Sequence, residues 1–165
     1  MNSHDPRADD NPHDLSRFLR AQDTGYAQAL SELRAGLKQS HWMWWVFPQL
    51  HGLATSPTSI YYSIKSVTEA KAYLDHPVLG PRLLECAEAV LQVEGRSVTE
   101  ILGSPDDLKL RSCATLFACV SSQDSVFDRL LDKYYRHERD DRTLRLLGVE
   151  VDKVLPATGW HWPAL

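Results

Sequence analysis

Helix-start signals recur along almost the whole chain, and no other feature limits its fold as strongly. Ser66…Glu69, Ser97…Glu100 and Ser104…Asp107 each set a hydroxyl three residues before an acid. In that spacing the hydroxyl accepts from first-turn amides while the acid reaches back to the cap. The third adds Pro105 at the first helical position, where a fixed φ helps and a missing N–H costs nothing. Asp14 can cap a short helix carrying Leu15, Phe18 and Leu19. Asp23 or Thr24 can cap a second, with the stripe Tyr26, Leu30, Leu33, Leu37. Gly80-Pro81 opens a helix striped by Leu83, Leu84, Ala87, Val90 and Leu91 and closed by Gly95. Residues 123–136 place Val126, Phe127, Leu130, Leu131 and Tyr134 on one face, and a last helix runs from about Asp140 to Leu147.

Strand-like alternation is nearly absent, and only residues 59–64 read as extended. The fold expected is therefore all-α: a single compact domain of about seven short helices around a central buried helix. That central helix follows Pro105, because from Cys113 to Val120 it is apolar nearly all round apart from Thr115. The domain spans residues 14–148. Residues 1–13 read as a flexible polar tail, and residues 149–165 as a C-terminal tail that packs on the body through Trp160 and Trp162. A chain of 165 residues buries roughly 70% of its unfolded surface, so the fold needs no metal or disulfide staple.

Composition narrows the function classes. A net charge of −4 disfavours nucleic acid as a partner, and the stretch from Arg129 to Arg145 mixes its cations with acids, as a solvated face does. No apolar run approaches a membrane span, and the N-terminus lacks a signal core. Three cysteines without a C-x-x-C pair (Cys86, Cys113, Cys119) argue for a reduced, cytoplasmic protein. The seven histidines show no metal-ligand spacing, and no phosphate loop or dinucleotide fingerprint occurs, so no metal and no cofactor are expected.

Two segments carry candidate chemistry. Lys38 to Gln49 holds three of the five tryptophans within four positions, and its polar rim of Lys38, Ser40, His41 and Gln49 exceeds what a core needs. Trp42 and Trp44 offer faces on which a planar or cationic ligand stacks. Equally, the rings fill the core and His41 bonds a backbone carbonyl. The second segment is the charged start of the central helix: Asp106, Asp107, Lys109 and Arg111. Here the competing structural reading is an acid pair at the positive end of the helix dipole, with Asp107 and Arg111 as an i, i+4 ion pair. The two segments are expected to meet in one pocket.

Ser40-His41-Trp42-Met43-Trp44 followed by Phe47-Pro48-Gln49 resembles the signature of a bacterial family catalogued as a domain of unknown function, some of whose members are labelled calpastatin-like. Further matches include Arg17-Phe18, Ala21-Gln22, Ala72-Tyr73-Leu74, His76-Pro77 and Gly103 to Lys109, and the likeness covers about residues 14–148. A mycobacterial member is mainly helical, so the resemblance implies an all-α fold; it supplies no activity and no catalytic residues. Calpastatin works as a disordered chain, whereas this sequence has capped amphipathic helices. The expected function is binding of an unknown small polar or planar molecule in an aromatic-walled pocket. One alternative is a hydrolase acting on a nucleotide-like or glycosidic substrate, with His41 or Asp107 as acid or base. The other is a structural or protein-interaction domain.

Overall fold

The computed structural model describes residues 14–148, and the two tails expected at 1–13 and 149–165 lie outside them. Among the described residues nine helices follow one another: α1 (Ser16–Arg34), α2 (Met43–Val46), α3 (Pro57–Tyr61), α4 (Val67–Asp75), α5 (Leu79–Gln92), α6 (Val98–Leu102), α7 (Asp106–Cys119), α8 (Val126–Tyr135) and α9 (Asp141–Leu146). The all-α class holds, with more helices than the seven expected because four are single turns of six residues or fewer. The only β pairing among the described residues is one isolated parallel bridge, Leu50 to Ile64.

The hydroxyl caps act as the spacing implied at two of the three sites. Ser97 and Glu100 close a reciprocal box at α6. Ser66 accepts from the Glu69 amide at α4, but the Glu69 carboxylate is drawn away to Arg17. Ser104 caps nothing: α7 begins at Asp106 after Pro105, without a side-chain cap. At α5 the cap is an imidazole, with His76 Nδ1 accepting from the Val78 and Leu79 amides.

Two expectations change. Asp14 to Leu37 does not divide at Asp23-Thr24; α1 is one helix of 19 residues. Gly25 sits inside it because a Cβ there would lie 2.2 Å from the Trp45 ring, so the glycine lets that indole pack on the helix backbone. Residues 59–64 are not a strand either. Ser56 caps α3 with Pro57 in its first turn, and only Ile64 reaches the bridge.

α7 is the buried centre, with every residue from Ser112 to Cys119 enclosed. A chain of aromatic rings threads the core. Phe18 meets Tyr73 at 5.0 Å, Tyr73 meets Phe117 at 5.5 Å, and Phe117 meets Phe127 at 5.6 Å. These contacts tie α1, α4, α7 and α8 together, each pair adding to the apolar burial. No described helix is long and apolar enough to cross a membrane.

Candidate functional site

The tryptophan-rich segment takes its shape from an acid on α1. Glu32 is buried, and its carboxylate accepts five hydrogen bonds: from the Gln39 amide (2.6 Å), the Ser40 amide (2.8 Å), the Ser40 hydroxyl (2.5 Å), the Trp42 indole (3.0 Å) and the Gln28 side chain (2.8 Å). Burial alone would raise its pKa, but the donors from Ser40, Gln39 and Gln28 outweigh it and hold the carboxyl at about 2. Ser40 and Trp42 are therefore spent on anchoring the turn, and Trp42, 2% exposed, shows no ring face to solvent. The Lys38 amide bonds the Ile101 carbonyl at 2.8 Å, which fastens the same segment to the end of α6.

With the turn so held, the two candidate segments come together. Lys38 Nζ lies 3.0 Å from Asp106 Oδ2 and 5.2 Å from the centre of the Trp42 ring. Lys109 Nζ lies 3.7 Å from Asp106 Oδ1 and 5.5 Å from the centre of the Trp44 ring. One carboxylate thus serves two ammonium groups. Trp44 and Lys109 border a small cleft completed by Met43, Phe47, Gln49, Ser59 and Tyr62. Its enclosed volume is about 10 Å³, room for about one water while Lys109 lies across the indole.

The remaining candidates stand outside this cleft. His41 is exposed on the turn before α2. Asp107 faces α6, with its carboxylate accepting from Thr99 Oγ1 at 2.7 Å and from the Leu108 amide at 2.9 Å. The i, i+4 pair expected between Asp107 and Arg111 is replaced by longer-range partners. Arg111 donates to the carbonyls of Glu138 and Arg139 at 3.0 and 2.8 Å, with the Glu138 carboxylate 3.8 Å away. Two backbone carbonyls held by a folded loop give the guanidinium fixed acceptors, whereas the half-buried Asp107 carboxylate is already taken by Thr99 and the Leu108 amide. Tyr62, Ser59 and Glu32 were not singled out in the sequence. The first two enter through the α3 turn, whose approach to α2 is a matter of tertiary packing. No group of described residues has the makings of a metal site.

With this geometry in place, the comparisons can be read. The family model described as "Protein of unknown function (DUF1810)" matches residues 12–147. The chain belongs to the DUF1810 family. Among solved structures, the DUF1810 fold seen here is similar to that of the conserved hypothetical protein Rv1873 from Mycobacterium tuberculosis. The two share 54% identity with a TM-score of 0.82, over 85% of this chain and 100% of that one. No curated protein matches. The mainly helical architecture is thus common to this DUF1810 chain and to Rv1873.

Proposed function

We propose that this protein binds a small planar anion in the cleft between Trp44 and Lys109. The observation that carries the reading is the shared carboxylate: Asp106 lies 3.0 Å from Lys38 and 3.7 Å from Lys109, so the ammonium over the indole is only half compensated. A planar anion stacks on the Trp44 face and takes Lys109 as its counter-ion, while Gln49, Ser59 and Tyr62 offer hydrogen bonds at its edge. Lys109 must swing off the ring to admit it. Its side chain is 25% exposed and flexible enough to do so. Among the described residues the lining holds no carboxylate or imidazole, which favours binding over hydrolysis.

The test is a thermal-shift and tryptophan-fluorescence screen against aromatic carboxylates and nucleotides, repeated on Lys109→Met and His41→Ala. Binding to the native state raises the melting temperature by mass action. The expected result is a saturable response in the wild type and in His41→Ala, lost in Lys109→Met at an unchanged ligand-free melting temperature. A response that survives Lys109→Met, or a screen with no response to any planar anion, overturns the reading.

A further inference from the structure

Lys38 and Lys109 share the Asp106 carboxylate on unequal terms. Lys38 Nζ stands 3.0 Å from Oδ2, within hydrogen-bond reach, whereas Lys109 Nζ stands 3.7 Å from Oδ1, beyond it. The two lysines also differ in how firmly they are held. The Lys38 amide donates to the Ile101 carbonyl at 2.8 Å. Its ammonium lies 5.2 Å from the centre of the Trp42 ring, and that ring is itself tied to Glu32. The Lys38 side chain is 10% exposed, so its rotamers are restricted before it meets Asp106, and its ion pair is little screened by salt. Lys109 is 25% exposed, and beyond its ion pair it has only the Trp44 ring, at 5.5 Å.

Asp106 is the first residue of α7, whose body is the buried centre of the fold. The carboxylate is therefore the fixed point, and the lysines arrange themselves around it. Lys38 has the first claim, so the attraction that would pin Lys109 across the indole is divided. Without Lys38 the carboxylate turns wholly to Lys109, which stands three residues along the same helix and has only to close 3.7 Å to a hydrogen bond. An ammonium held there stays over Trp44, and the cleft keeps room for about one water.

Lys38 does not border the cleft. Taking the cleft as the planar-anion site, we infer that Lys38 is its positioning residue: by holding Asp106 it leaves Lys109 free to swing off Trp44, and its loss latches the cleft shut. Lys38 touches no ligand in this scheme. It acts only through Asp106 and Lys109.

The experiment has a ligand-free arm and a ligand arm, both on the full chain. In the first, the ring current of Trp44 reports where Lys109 lies. The Lys109 methylene signals, assigned by their loss in Lys109→Met, shift upfield in the nuclear magnetic resonance spectrum while the side chain crosses the indole. Lys38→Met should move them further upfield, and Asp106→Asn should move them towards free lysine. Lys38→Arg, which keeps the charge on Asp106, should leave them near the wild type.

In the second arm 2-naphthoate is titrated and read by tryptophan fluorescence. Lys38→Met should weaken its binding about three- to fivefold, the reach of an ion pair close to the surface. A plain loss of positive charge would also weaken an anion, and a double-mutant cycle separates the two. In an Asp106→Asn background the latch has nothing to pull on, so Lys38→Met should then change the affinity by less than about twofold. If naphthoate does not bind while the methylene signals move as described, the latch stands and the reading of the cleft as an anion site falls. The inference is overturned if Lys38→Met leaves the Lys109 signals unmoved, or if it weakens naphthoate equally with and without Asp106. Should Asp106→Asn fail to fold, Lys38→Met against Lys38→Arg decides alone, and equal Lys109 signals in the two overturn the inference.

Discussion

Arg17 reaches across from the first turn of α1 to place one guanidinium nitrogen 2.7 Å from the Glu69 carboxylate on α4, with both side chains almost wholly enclosed. The same side chain donates to the carbonyls of Asp14, Tyr61 and Ser63. One residue therefore holds the start of α1, the end of α3 and the loop into α4. An arginine suits the position because its planar fork serves several acceptors at once. Glu69→Ala is expected to cost about 3–5 kcal/mol, since it strands an enclosed guanidinium. Arg17→Met with Glu69→Ala should cost less than the sum of the two single changes. Urea denaturation of the four proteins checks this, and additive losses would show that the two residues act separately.

Phe117 lies at the middle of the aromatic chain and is fully buried. Phe117→Ala should destabilise by about 3–5 kcal/mol, the range for emptying an enclosed aromatic position. Chemical denaturation measures it, and a loss under about 1 kcal/mol would place the ring at the periphery.

Gly80 admits no side chain. A Cβ there would stand 2.0 Å from the Leu74 carbonyl oxygen, a backbone atom that cannot rotate away. Gly80→Ala should therefore force α5 off α4 and cost at least about 1–3 kcal/mol, against the small gain that alanine brings to a helix elsewhere. Thermal unfolding distinguishes the two signs.

The depressed pKa of Glu32 makes a pH statement. Its folded value of about 2 lies below the ordinary 4.5, so the stability it contributes is fully present above pH 4.5 and is lost as pH falls towards 2. The slope in that window should approach about 1.4 kcal/mol per pH unit from this group. Glu32→Gln should lose stability at neutral pH and flatten that part of the acid-unfolding curve. An unchanged slope would mean that the carboxylate is not what the Ser40 turn depends on.

The three cysteines are predicted to be silent in the native state. Burial pushes the Cys86 and Cys119 thiols up to about 12 and holds Cys113 well above its ordinary range. A thiol-disulfide reagent at pH 8 should therefore label none until the chain unfolds, then all three. Rapid labelling of folded protein would show a thiol that the native fold fails to enclose.

What could be read from the sequence was what local physics decides. Ser66 and Ser97 cap where their spacing places them, and the unbroken apolar run after Leu110 marks the central helix. Asp23-Thr24-Gly25 misled because cap preference is worth about 1 kcal/mol, and packing against the Trp45 ring outweighs it. In the candidate site, the meeting of Lys38 with Asp106 and of Trp44 with Lys109 followed from reading both segments as one place. Glu32 was missed for a physical reason. A glutamate on a helix looks solvent-facing from its helix alone, and only the chain's return at Ser40 encloses it.

The five bonds to Glu32 also bear on how the tryptophan-rich turn can change or be moved. Residues 38–49 carry the rings, but the atom that shapes their backbone belongs to residue 32. Transplanted alone onto another helical scaffold, the segment would bring its indoles and lose its geometry. The smallest portable unit that keeps all five bonds runs from Gln28 to Gln49, and within it an exchange at Ser40 or Trp42 has to be answered at a position eight or ten residues earlier.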